Sequence, residues 1–105
     1  MGWAMKPSAS PLTPAEAREL IQQALRAGSG IGFVRHARER ARERSFNRRD
    51  VEHVLKTGRI GKPSWDERFG DWKYPVNGTD LDGDELTVIV ALDRAWVRVT
   101  VITGF

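Results

Sequence analysis

Glu85–Thr103 reads ELTVIVALDRAWVRVTVIT, and how this stretch is read decides the fold. β-Branched residues dominate two runs, "ELTVIVAL" (Glu85–Leu92) and "WVRVTVIT" (Trp96–Thr103), separated by a short "DRA" turn. Val, Ile and Thr are stiff at χ1, which suits a pleated surface better than a helix. The spacing has period two. Leu86, Val88, Val90 and Leu92 alternate with Thr87, Ile89 and Ala91, and Val97, Val99 and Val101 alternate with Arg98, Thr100 and Ile102. Two strands follow from this, with Arg98 and Thr100 on the face opposite the valines. A charge inside such a strand implies that this second face meets solvent or a ligand. Immediately upstream, Asp82-Gly83 is a hairpin signal, and Trp72–Thr79 reads as a third extended segment. Pro75 has no N–H for a ladder, so this segment is expected to be an edge strand or to carry a break.

The N-terminal half has helical spacing instead. In "LTPAEARELIQQALRAG" (Leu12–Gly28), Thr13 is an N-cap, Pro14 fits the first helical position, and Glu16 completes a capping box. Leu20, Ile21, Ala24 and Leu25 form the apolar stripe, and Gly28 stops the helix. "GSGIGF" (Gly28–Phe33) reads as a loop ending in two anchors, Ile31 and Phe33. A second helix is expected from about Val34 to Arg44. Asn47 caps a third, with Asp50 in its first turn, Val51, Val54 and Leu55 buried, His53 at the rim and Gly58 at its end. The expected order is α-α-α-β-β-β. This is an α+β fold with two to three N-terminal helices packed on one face of a small antiparallel sheet. Residues 1–11, with Trp3, read as a flexible leader, and residues 12–105 as a single domain.

Composition excludes several classes of chemistry. The 105-residue chain has no cysteine and two histidines, His36 and His53. Disulfides, thiol catalysis and a three-histidine metal site within one chain are therefore ruled out. No metal or other cofactor is expected. No apolar run is long enough to span a membrane, and the N-terminus lacks the apolar segment of a signal peptide, so a cytoplasmic, membrane-free protein is expected. Lys6 stands where a myristoylation signal needs Ser or Thr.

The net charge is +3 and the pI is about 9.8, and the charge is unevenly distributed. Arginines fill seven of the sixteen positions in "VRHARERARERSFNRR" (Val34–Arg49): Arg35, Arg38, Arg40, Arg42, Arg44, Arg48 and Arg49. Four acids gather at Asp80, Asp82, Asp84 and Glu85. At about 100° per residue, Ala37 and Ala41 share a helix face with Arg44 close beside it. His36 and Arg40 stack on one flank, and Arg38 and Arg42 on the other. Each guanidinium can take a phosphate bidentately, so the cluster suits a phosphate backbone. The competing reading is a solvated helix laced by Glu39 and Glu43. His36 beside fixed cations suits a general base, or simply a helix-start histidine holding the Phe33 loop. Tyr74, Arg98, Thr100 and Thr103 are candidates on the strands. Trp65, Phe69 and Trp72 with Lys73 fit either single-strand stacking or edge packing. "DLDGDE" (Asp80–Glu85) is only loosely like a calcium loop and fits a hairpin turn better.

The pattern H-A-x-x-R-x-x-x-R at His36–Arg44 is followed by Val51, Leu55, Gly58, Tyr74, Gly78, "DGDEL" and "VTVIT". Together these resemble a family of small, largely uncharacterised bacterial domains, over roughly Phe33 to Thr103. That family looks related to RelE/ParE-type toxins, among the barnase-like and RelE-like nucleases. The resemblance implies a toxin-type, metal-independent endoribonuclease that uses the ribose 2′-hydroxyl as nucleophile. It puts His36 and Arg40 at the scissile phosphate and Tyr74 and Arg98 near it. Arg35, Arg38, Arg42, Arg44, Arg48, Arg49 and Lys73 would bind the RNA. A cognate antitoxin or immunity protein is the further partner implied. Thr87 stands where members often carry a polar or histidine residue, which leaves open a non-catalytic nucleic-acid- or protein-binding module.

Overall fold

The computed structural model describes residues 10–28 and 30–105. Residues 1–9 of the expected leader, Trp3 and Lys6 among them, lie outside the described residues.

Helix α1 (Pro14–Ala27) starts where Thr13 and Glu16 close a reciprocal capping box, and it ends at Gly28, whose φ is 75°. α2 (Arg35–Arg44) and α3 (Arg48–Thr57) follow the expected bounds. Asn47 and Asp50 form a second capping box on α3. Arg18 of α1 donates to the Leu55 carbonyl at 2.7 Å and to that of Gly58, so a cation satisfies the last carbonyls of α3. None of these helices is long and apolar enough to cross a membrane.

The strands are β1 (Ile31–Phe33), β2 (Arg59–Ile60), β3 (Ser64–Asp66), β4 (Asp71–Thr79), β5 (Glu85–Asp93) and β6 (Arg98–Gly104). The sheet order is β1-β6-β5-β4-β2, with β3 also on β4. Only β1 pairs in parallel, Ile31–Phe33 lying along Val99–Val101. The fold is thus α+β, with three helices on a mostly antiparallel sheet. Three short strands add to the expected order. β1 falls where the sequence predicts a loop, because a three-residue strand containing Gly32 is too short to show a period.

Pro75 sits in an interior strand, not at an edge. β3 pairs with Asp71–Lys73 and β2 with Val76–Asn77, leaving a gap between them. The Pro75 carbonyl accepts from Gly61 N at 2.8 Å. The ring nitrogen of Pro75 therefore faces the β2–β3 connection, where no ladder bond is required. The break is in the neighbouring strand. β6 begins at Arg98 instead of Trp96, because Val97 turns the chain at φ 49°. A register shift near Ile89/Val90 leaves Ile102 without an opposite residue, so Val101 and Gly104 both face the helices.

Alternation sorts the sheet into two faces. Tyr74, Val76, Leu86, Val88, Val90, Leu92, Val99 and Val101 are buried against α1, α3 and Ala37 of α2 in one cluster. The opposite face carries Lys73, Asn77, Thr87, Ile89, Arg98 and Thr100. Asp50 is the one buried charged residue among those described, at 7% exposure. One of its oxygens accepts from Asn47 N at 2.9 Å and the other from Leu81 N at 3.0 Å. It ties the start of α3 to the β4–β5 turn. That turn is the "DLDGDE" stretch, in which Asp80 Oδ1 accepts from the amides of Asp82 and Asp84. No group of three His, Cys, Asp or Glu side chains among the described residues is placed to hold a metal ion.

Candidate nucleic-acid interface

Arg98 opens β6 on the face opposite the buried valines, and its guanidinium lies across β1 at Gly32. A Cβ at position 32 would meet that guanidinium, so a larger residue there would make the Arg98 side chain move aside. Arg48, the first residue of α3, reaches the same strand from outside. Its Nη2 donates to the Ile31 carbonyl at 2.9 Å, and its Nε to Glu52 at 3.0 Å. Its guanidinium carbon stands 5.5 Å from the Phe33 ring centre, a cation–π contact. These contacts hold Arg48 in place and leave its other N–H groups free to donate. Arg38 comes from α2, with small Ala41 one turn on.

Ile31, Gly32, Phe33, Arg38, Ala41, Arg48 and Arg98 line one groove of about 430 Å³. Arg38 also lines a second, shallow groove of about 620 Å³ with Arg35, Glu39 and Arg42. The two share Arg38 and so form a continuous basic path. Arg38 and Arg98 make no side-chain hydrogen bond or ion pair among the described residues. Arg35 meets Glu39 at 3.5 Å and is 93% exposed, so that pair is screened and weak.

The family comparison gives a match to the description "Domain of unknown function (DUF4258)" over residues 33–103. The chain belongs to the DUF4258 family. Comparison with curated proteins and with solved structures returns no match. The DUF4258 match covers Phe33, Arg38, Arg48 and Arg98 of the groove, whereas α1 precedes it.

The other candidate residues of this DUF4258 domain lie elsewhere. His36 is exposed on α2 and lines neither groove. Arg40 is bound to Glu43 at 3.2 Å. Arg44 faces the acidic turn, in a cavity of about 320 Å³ lined by Asp80, Asp82, Asp84 and Glu85. Arg49 is exposed and lines neither groove. Lys73 pairs with Asp66 at 3.5 Å. The Phe69 amide, and then Lys73, hold the Asp66 carboxyl below its ordinary range. Trp65 meets Trp72 edge-on at 5.6 Å, and Trp72 packs against the core. The convergence of Arg48 with Arg98 had no signal in the chain, since 50 positions separate them.

Tyr74 is buried on the helix-covered face, opposite Arg98, and its hydroxyl accepts from Leu12 N at 2.8 Å. Burial pushes this hydroxyl's pKa above 10.0. The folded state thus favours the neutral phenol. That stabilisation is complete below pH 10, the unfolded value, and is lost as pH rises through the raised folded value. Tyr74 is the chain's only tyrosine, so its titration is directly visible by absorbance. Tyr74→Phe is expected to cost about 1 kcal/mol near neutral pH through the missing bond to Leu12. It should also remove the Tyr74 part of alkaline destabilisation while leaving any RNA affinity unchanged. Urea titrations at neutral and alkaline pH check this.

Proposed function

We propose that this domain binds RNA as a polyanion, without cleaving it, along the path Arg98–Arg48–Arg38–Arg35/Arg42. The observation that carries the reading is the meeting of Arg38, Arg48 and Arg98, from two helices and a strand, in one groove. Arg38 and Arg98 make no ion pair among the described residues, although Asp93 stands across the ladder from Arg98, and Arg48 is already ordered, so little side-chain entropy is lost when a phosphate arrives. The resemblance to RelE-type nucleases read from the sequence is the ground for choosing RNA over other polyanions.

Cleavage without a metal needs a base within reach of the ribose hydroxyl. The groove lining offers only arginines as ionisable groups. His36 and Arg40, the residues the resemblance puts at the phosphate, lie outside it. The groove supports binding better than the toxin-type endoribonuclease activity.

Two measurements test this. Filter binding of a labelled RNA across a salt series should give a log–log slope of about −3 to −4, from roughly 0.7 per phosphate contact on a single strand and five arginines. The same RNA incubated with the protein and EDTA should stay intact, with His36→Ala binding like the parent. Cleavage in EDTA that disappears in His36→Ala would instead establish the nuclease.

A further inference from the structure

The turn between β5 and β6 presents Trp96, 80% exposed, against 56% for Leu81 and 48% for Phe105. The turn is firmly held. Trp96 N donates to Asp93 Oδ1 at 3.2 Å, and Arg94 is paired with Glu16 at 3.0 Å. Val97 has φ 49°, a left-handed conformation that a β-branched residue adopts only at a cost. The bend puts the Val97 side chain in a groove beside Ala15 and Leu20 of α1, and leaves the indole in solvent. Strain and exposure thus fall on adjacent residues, immediately before Arg98.

The Cα atoms of Trp96 and Arg98 are at most about 7 Å apart, the reach of two extended residues. The backbone at the Arg98 end of the basic path is therefore within two residues of an exposed aromatic. The residues next to Trp96 in the turn, Asp93, Arg94 and Ala95, are exposed and bring no other large apolar side chain. A protein hot spot instead needs a rim that excludes water. The groove on the far side of the turn holds Glu16, Glu19 and Arg94, and Arg94 is already taken by Glu16. A positive groove with an aromatic platform suits single-stranded nucleic acid, whose unpaired bases can stack, whereas a duplex keeps its bases paired.

We propose that the RNA taken by this domain is single-stranded, and that Trp96 stacks one unpaired base next to the phosphate held at Arg98. The inference rests on the RNA-binding reading above. The test is fluorescence anisotropy with a labelled oligouridylate, and with the same strand in a duplex, at one fixed salt concentration. Four proteins are compared: the parent, Trp96→Ala, Trp96→Phe and Arg38→Ala/Arg98→Ala. Trp96→Ala is expected to weaken the single strand about 10-fold, the scale of one stacked base, and to leave the duplex unchanged. Trp96→Phe should restore most of the loss. If Trp96→Ala binds the single strand like the parent while Arg38→Ala/Arg98→Ala is weakened, stacking is refuted and RNA binding stands. If Arg38→Ala/Arg98→Ala also binds like the parent, the arginine path itself fails. If Trp96→Ala lowers the sedimentation coefficient of the RNA-free protein, the indole belongs to a contact between copies, and stacking is overturned.

Discussion

Arg38→Glu/Arg98→Glu is expected to reduce RNA affinity by at least about 100-fold, because two charge-assisted phosphate contacts, each about 1.5–3 kcal/mol, become repulsions. The salt slope should also become shallower, by about 0.7 for each phosphate that is no longer neutralised. Neither arginine makes a side-chain hydrogen bond or ion pair among the described residues, so thermal stability should stay close to the parent's. That separates impaired binding from impaired folding. Arg40→Glu and Arg44→Glu reverse the same amount of charge on α2, but outside the grooves. They are expected to weaken binding only a few-fold, through the general field. Equal losses from the two pairs, measured by filter binding, would mean that total charge matters and the groove does not.

Asp50→Asn is expected to destabilise the fold by about 2–3 kcal/mol, with no direct effect on RNA. The carboxylate takes two backbone donors, Asn47 N and Leu81 N, one on each oxygen. An asparagine has one acceptor oxygen, so its NH₂ must face an N–H, leaving a buried donor unpaired. The charge-assisted half of the capping box is weakened by the same change. For a domain of this size, with total stability of about 5–15 kcal/mol, the midpoint should fall by roughly 10 °C. Thermal and urea unfolding of Asp50→Asn and Asp50→Ala measure this. A loss under about 0.5 kcal/mol would show that the α3–turn tie is carried by other contacts.

The candidate site was only partly legible in the chain. The arginine cluster was visible, and so was the assignment of Arg98 to the face opposite the valines. The spacing of His36, Arg40 and Arg44 suggested one shared surface. A helix of about 3.6 residues per turn drifts about 40° over each four residues, and these three side chains end on different neighbours. Glu43 takes Arg40, the acidic turn meets Arg44, and His36 stays in solvent. Arg38 joins Arg48 and Arg98 because β1 lies along β6 and Arg48 is bonded to β1 at Ile31.

The sequence by itself determined the three helices, their caps at Thr13 and Asn47, the Asp82-Gly83 hairpin and the two faces of β5 and β6. Each of these depends on residues within a few positions of one another, where hydrogen-bonding geometry and side-chain period act locally. Only the tertiary structure decided that Ile31–Phe33 is a strand, that Pro75 is accommodated by a gap between β2 and β3, that Val97 bends left-handed to expose Trp96, and that Arg38, Arg48 and Arg98 share a groove. Those outcomes come from pairings across tens of residues, whose free energy lies in burial and register and leaves no periodic trace in the chain.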